Sequence, residues 1–298
     1  MESSKKINEF IIPRLIKMCG YSAIIFVLLI FYFLLREGLP TIDQVSLKNL
    51  SSMRWYPIES YFGLLPLIGG SLIVTLGAAL FAIPIGICTA IFIAEVAPRW
   101  ARDILKPLVE VLGGIPSVVL GFLGILILAP FLRRFLDLPT GLTALAGSIL
   151  LGGIAIPTIV SVAEDALDSV PSSYRDGALA LGATQWQTIW RVTLPAARRG
   201  VLTAIMLGIG RAIGETMAVM MVTGNAPVLP DKWNSFFMPV RTMTATIAAE
   251  MGEVAKNGTH YYVLFFIGLV LFLISLGINI AASTAVFQQK KRAERILS

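Results

Sequence analysis

The sequence predicts an all-α integral membrane protein with six transmembrane helices. Three observations carry that prediction: sparse charge, high hydropathy, and the spacing of the charges that remain. Of 298 residues 14% are charged and 56% are hydrophobic, where a soluble domain has roughly 25% charged residues. Mean hydropathy is +0.80, more than a water-exposed globule can hide. Length alone would permit one large soluble domain or two small ones, and composition argues against both. The net charge of +6 would suggest a nucleic-acid partner in a soluble protein. In an apolar chain the same excess marks loops that stay beside an anionic membrane surface.

The gaps between charges place the spans. Lys17 to Arg36 encloses 18 uncharged residues, Glu59 to Glu95 35, Glu110 to Arg133 22, and Asp137 to Glu164 26. Arg199 to Asp231 encloses 31, interrupted only by Arg211 and Glu215, and Lys256 to Lys290 encloses 33. A helix needs about 20 apolar residues to cross ~30 Å of hydrocarbon at ~1.5 Å per residue. Each interval therefore holds one span. Pro66 and Pro84 punctuate the second, which predicts a lead-in segment followed by a long, kinked helix.

Lys and Arg set the orientation. Six spans put both termini on one side with the segments around 95–110 and 164–199, and that side carries 15 of the 24 basic residues against 8 opposite. The positive-inside rule makes it the cytoplasmic side. The first apolar stretch ends in Leu-Leu-Arg-Glu-Gly without a small-x-small cleavage site, so a retained helix is expected rather than a removed signal. Cys19 and Cys88 lack metal-ligand spacing and read as small hydrophobes; neither metal nor cofactor is expected. Residues 1–61 form a tail, the extra first helix and an outer loop. A five-helix membrane domain is expected to follow at 62–287, then a cytoplasmic tail at 288–298.

The segment Glu164–Arg199 is 36 residues, long for a helix connection. Pro171 with Ser172 and Ser173 predicts a short helix whose first turn a Ser side chain caps. Tyr174, Ala178 and Leu181 recur at helical spacing. Gly182 ends that helix, and Ala183-Thr184 opens a second one bearing Trp186, Ile189 and Trp190. On physics alone the pair is either a projecting docking knob or a surface helix pair at the membrane interface, where Trp often sits.

Its spacing resembles the "EAA" loop of permease subunits of ATP-binding-cassette importers. Asp176-Gly177-Ala178, Gly182, Val192, Leu194 and Pro195 match each position of that pattern, with Asp for Glu and Gly for the first Ala. The resemblance implies a type I importer (MetI-like) permease fold and a loop, including Ala183, that seats in an ATPase subunit. The chain has no G-x-x-x-x-G-K-[ST], so nucleotide chemistry belongs to a partner and this chain is not itself an enzyme.

Arg211 and Glu215 lie inside the otherwise apolar Leu202–Val222. Each costs about 2.5–3.5 kcal/mol at mid-membrane on the insertion scale. On a continuous helix their i, i+4 spacing lets them pair and point together into a bundle, with Gly208, Gly210 and Gly214 permitting close approach. They are either a self-neutralising packing pair or a charged station on a translocation path. Arg suits phosphate because its planar fork gives bidentate, charge-assisted bonds. Glu could accept a hydrogen bond from a protonated phosphate oxygen, or hold Arg211 in a closed gate.

Gly210-Arg211-Ala212-Ile213-Gly214-Glu215-Thr216 resembles the RAxGET motif of the phosphate-specific (Pst) permeases. Gly114-Ile115-Pro116-Ser117-Val118-Val119 and Ala180-Leu181-Gly182-Ala183-Thr184 agree. The stretch after Glu215, with Arg241–Glu253, is similar to the PstC type rather than its PstA partner. The resemblance implies a PstA-like permease partner, a PstB-like ATPase dimer and an external phosphate-binding protein. It places Arg211, Glu215, Thr216 and Ser117 on the substrate path. From the residues alone, Ser117 could equally satisfy its own helix backbone.

Trp233, Phe236 and Phe237 with the helical pattern Thr242–Ala255 fill the outer loop, either an interfacial anchor or a contact for the binding protein. The Met residues of this half read as packing, and His260 as a span-end residue without acidic company. Alternatives to a phosphate importer are a permease for sulfate or molybdate, and a secondary transporter or channel; the full EAA spacing would be unexplained in the last two. An intramembrane enzyme lacks its motifs, since there is no HExxH and no paired intramembrane carboxylates.

Overall fold

The computed structural model describes residues 2–297, with side chains described at 12–232, 234–280 and 284. The side chain of Trp233 and those of the terminal tails lie outside the described residues. Among the described residues six helices are long and apolar enough to cross a membrane: Ile12–Gln44, Leu65–Val96, Ser117–Phe135, Ala144–Asp168, Gln185–Gly214 and Thr259–Ile280. One overlaps each predicted interval, and the fifth begins inside the preceding loop, at Gln185. In numerical order they are the first to sixth spans.

The fourth span is the centre. The second and fifth pack along it through a stripe of small residues: Ala78, Ala82, Ala155, Ala163 and Ala204 are all buried. Ile159 sits between Gly86 and Gly208, and a Cβ at Gly86 would come within 2.7 Å of its Cγ2. Lipid tails are as apolar as Leu, so these helices associate by close packing rather than by leaving water. Glycines that admit Ile159 are what make the packing close. The first span lies outside this core, stacked on the sixth through Phe31–Phe272 at 5.2 Å and Phe33–Phe265 at 5.4 Å.

Prolines explain the local irregularities. π turns at Gly124–Leu128 and Ile189–Thr193 are each followed two residues later by a proline, Pro130 and Pro195. A proline ring clashes with the carbonyl four residues back. Those carbonyls, of Leu126 and Arg191, lie inside the widened turns, which moves them aside. Pro116 has a different effect. It holds Ile115 extended, at ψ 128, so the third span starts at Ser117 rather than just after Glu110. Residues 111–114 belong instead to an amphipathic helix, Arg99–Gly114.

That amphipathic helix is riveted to the end of the fourth span by charges that sequence spacing read only as topology markers. Glu164 is 1% exposed, yet it accepts from Lys106 Nζ at 2.7 Å and from Arg102 Nη2 at 3.3 Å. Arg102 also pairs with Asp168, and Lys106 with Asp165 at 3.1 Å. The hydrogen bond to Glu164 raises the Lys106 ammonium above its ordinary value despite partial burial. A buried carboxylate is tolerable only while paired. Replacing both cations, Arg102→Gln with Lys106→Gln, is expected to destabilise the fold by about 3–5 kcal/mol. Adding Glu164→Gln to that variant should restore much of the loss, read as the thermal midpoint of the detergent-solubilised protein.

At the opposite end a two-residue hairpin, Trp55–Tyr56 with Tyr61–Phe62, folds over residues 241–260. The outer helix there is Met243–Glu250, capped by Thr242 on the Ala245 N–H. It is shorter than the predicted Thr242–Ala255 because residues 251–258 turn back toward the sixth span. His260, expected to lack an acidic neighbour, is 2.8 Å from Glu250 Oε2. Glu250 Oε1 also accepts from the Trp55 indole at 3.1 Å and pairs with Arg241 at 2.8 Å.

Burial alone would raise the Glu250 carboxyl; the His260 and Trp55 hydrogen bonds and the Arg241 charge outweigh it and hold the group below its ordinary value. A depressed carboxyl contributes stability that is present above its unfolded value of about 4.3 and is lost as pH falls through the lower folded value. The thermal midpoint should therefore drop as pH falls below about 4.3. In Glu250→Gln this component of the pH dependence should be absent.

Candidate functional site

The motif at residues 210–216 marks a break in the fifth span, not its continuation. The helix ends at Gly214, and Glu215 is extended at ψ 130. A second, short helix, Met217–Val222, starts after Thr216. Glu215 Oε1 accepts the N–H groups of Thr216 at 3.1 Å and Ala218 at 3.4 Å. A carboxylate on the unpaired N–H groups of a first turn is favourable both as a cap and against the helix dipole. The Glu215 carbonyl in turn accepts from Thr244 Oγ1 at 3.2 Å, which ties the break to the outer helix.

The expected Arg211–Glu215 pair is consequently not made. The i, i+4 geometry needs a continuous helix, and the turn after Gly214 aims the carboxylate at the next one. Arg211 instead donates from Nη1 to Thr158 Oγ1 at 3.0 Å and from Nη2 to the Gly113 carbonyl at 3.2 Å. Its guanidinium thus bridges the fifth span, the fourth span and the end of the amphipathic helix. It remains exposed, and a guanidinium has five donors, so donors are left for a ligand. Gly210 and Gly214 on its own helix, and Gly114 next to Gly113, have open space at the position of a Cβ.

Ser117 and Thr216 open two helices that cross one turn later. A Cβ at Gly121 would come within 2.8 Å of Met221 Sδ and 3.0 Å of Ala218 Cα. The Thr216 hydroxyl donates to the Gly214 carbonyl at 3.3 Å, and Ser117 is half-buried. Thr158 and Gly113 escaped the sequence reading. Nothing local marks either one, and only the folded chain brings them to Arg211.

The loop between the fourth and fifth spans forms two helices meeting at Gly182, as expected. The first is Ser172–Ala180, with Pro171 rather than a Ser side chain at its start. Gly182 adopts φ +84, and its N–H donates to the Leu179 carbonyl at 2.9 Å while that of Ala183 donates to Ala178 at 3.1 Å. This is a Schellman closure, and it gives the Ala178, Gly182 and Ala183 spacing a physical reason. Thr184 then forms a capping box with Gln187. Leu194 packs on the core beneath, and Pro195 follows the π turn that joins the loop to the fifth span.

Arg175 fixes the loop to the body. It grips Glu95 through Nη2 at 2.6 Å and Nε at 3.1 Å, and donates to the carbonyls of Val170 and Leu167, both at 2.8 Å. Gln185 adds a bond to the Glu95 carbonyl at 3.0 Å. With its underside held, the loop projects Asp176, Gly177 and several large apolar side chains outward. Leu181 is 91% exposed and Trp186 60%, and Tyr174, Leu179 and Trp190 join them. Apolar exposure of this size on one rigid knob marks an interaction surface.

Comparison with known proteins identifies the family and the fold. Residues 82–293 match the family described as binding-protein-dependent transport system inner membrane component. A Bacillus subtilis (strain 168) protein, probable ABC transporter permease protein YqgH, is 45% identical over 231 residues, covering 77% of this chain and 74% of its own. The phosphate transport system permease protein PstC of Mesorhizobium japonicum is 37% identical over 245 residues, covering 76% of this chain and 74% of its own. An inward-facing MetNI methionine ABC transporter structure superposes with a TM-score of 0.58 at 21% identity, over 74% of this chain and 92% of that one. The fold is the MetI-like permease fold with an additional first span. The chain belongs to the family of binding-protein-dependent transport system inner membrane components, and within it to the PstC-type permeases.

Proposed function

We propose that this chain is the permease subunit that, paired with a PstA-like subunit, forms the path for inorganic phosphate in an ATP-driven importer. The observation that carries the reading is Arg211. It is an intramembrane guanidinium with no carboxylate partner among the described residues, held by Thr158 and Gly113, with Gly210 and Gly214 open on its own helix. Arg positioned this way suits a small oxyanion, and relatives named PstC support phosphate over sulfate or molybdate. Ser117 and Thr216 carry hydroxyls at the starts of the two helices that cross at Gly121, and Glu215 sets where the second of these begins.

The knob from Asp176 to Ala183 is the coupling surface for a PstB-like ATPase dimer, with Leu194 and Pro195 passing its motion to the fifth span. A rigid body with a fixed underside transmits displacement without deforming. ATP binding would close the ATPase dimer and open the permease pair outward to a phosphate-binding protein; hydrolysis would reset it. In this reading the termini and the knob are cytoplasmic in a prokaryotic inner membrane, and 62–287 is the permease domain.

The test is ATP hydrolysis by the reconstituted four-part complex. Phosphate-loaded binding protein should stimulate it, and Leu181→Asp should remove both stimulation and co-purification of the ATPase. Unchanged co-purification with Leu181→Asp and Trp186→Asp together would count against the coupling surface. Equal stimulation by a sulfate-loaded protein would count against phosphate.

A further inference from the structure

Arg133 and Arg134 end the third span, where the sequence reads them only as boundary charges. In the fold they border a cavity of about 370 Å³ between the span and the loop that follows. Ile125 and Ala129 form its wall along the span, and Thr140 and Leu142 its loop side. Gly141 allows this arrangement, because any Cβ there would collide with the Ala129 carbonyl. The loop backbone therefore lies directly on the helix.

Two features define what the cavity fits. Its mouth is cationic and uncommitted: among the described residues neither arginine side chain makes an ion pair or hydrogen bond. Thr140 Oγ1 accepts the Leu142 N–H at 3.2 Å, which leaves the hydroxyl proton free to donate. Its depth is apolar. Ile125 lies eight residues before Arg133, roughly 12 Å along a helix, which carries the wall from the membrane boundary well into the hydrocarbon zone. A free inorganic anion has no use for that wall. An amphiphile with a charged head and a hydrocarbon body matches both ends.

We propose that this cavity binds the phosphodiester headgroup of an anionic membrane phospholipid. Arg133 and Arg134 hold the phosphate oxygens, Thr140 donates a third bond, and Ile125, Ala129 and Leu142 pack against the first methylenes. Arginine grips phosphate oxygens through charge-assisted, bidentate bonds, and each arginine is expected to contribute about fivefold in affinity. The site is separate from Arg211 and does not rest on the phosphate-import reading.

Native mass spectrometry of the detergent-solubilised complex tests it, with phosphatidylglycerol, phosphatidylcholine and inorganic phosphate as probes. Phosphatidylglycerol should be retained over phosphatidylcholine. Arg133→Gln and Arg134→Gln should each weaken retention about fivefold, and the Lys replacements should keep most of it. Should the double Gln variant fail to assemble, Thr140→Ala supplies the reading through a several-fold loss. Unchanged retention in these variants would overturn the proposal. So would equal binding of phosphatidylcholine, or displacement of the lipid by equimolar inorganic phosphate, which would reassign the cavity to a free anion.

Discussion

Replacing Arg211 with Gln is expected to lower phosphate uptake by roughly 30-fold or more. Truncating one partner of a desolvated, hydrogen-bonded charge contact costs about 2–5 kcal/mol, and 2 kcal/mol alone corresponds to about 30-fold. The fold should survive, because Arg211 is exposed in the subunit and donates only two hydrogen bonds, to Thr158 and Gly113. Arg211→Lys should fall between, keeping the charge but losing the planar fork. Thr158→Val removes one of the two anchors. It should raise the phosphate concentration for half-maximal uptake a few-fold, in line with about 1 kcal/mol for one hydrogen bond. Uptake of labelled phosphate into cells expressing each variant at matched levels gives these values. Uptake by Arg211→Gln within two-fold of the parent would remove Arg211 from the path.

The second large effect is expected at Gly182. Its φ of +84 costs a residue with a Cβ about 1–2 kcal/mol, yet nothing lies within 4 Å of the position a Cβ would take. Gly182→Val therefore strains one turn without a clash. It should release the Schellman closure and tilt the helix Ser172–Ala180 against Thr184. The expected phenotype is uncoupling: the complex assembles, basal ATP hydrolysis persists, and phosphate uptake falls about 5- to 30-fold, as that strain implies. Uptake and hydrolysis that fall in equal proportion would point to loss of assembly instead.

These two sites were not equally legible in the sequence. The loop between the fourth and fifth spans was, because its determinants are local. Gly182 takes a backbone conformation that favours glycine, Thr184 caps the next helix, and both act within five residues. The six spans were legible for a similar reason, since a charge in the bilayer core is costly and nearly every charge lies outside the apolar intervals. The break at Glu215 was not. Residues 202–222 contain no proline, and apolar composition gives no sign that Glu215 leaves the helix to cap Met217–Val222. Thr244, which comes from the outer loop to donate to the Glu215 carbonyl, is a partner that local sequence does not reveal.

Tertiary pairing hid the rest. Glu164, Arg102 and Lys106 look like cytoplasmic boundary charges, and they also join two helices through the buried carboxylate of Glu164. Glu250 and His260 are ten residues apart and separated by a turn, so no helical period joins them. Trp55 reaches the same carboxylate from a hairpin almost two hundred residues earlier in the chain. Spacing along the sequence records where charges are tolerated. Partners across the fold decide what each one does.

The most direct measurement is ATP-dependent uptake of labelled phosphate by proteoliposomes. They should hold this chain with its permease partner, ATPase and binding protein, and sulfate and molybdate should be added in equal concentration as competitors. Uptake that requires ATP, resists both competitors and is lost with Arg211→Gln is the predicted result. Uptake without ATP, or uptake that sulfate or molybdate suppresses as strongly as unlabelled phosphate does, would contradict it.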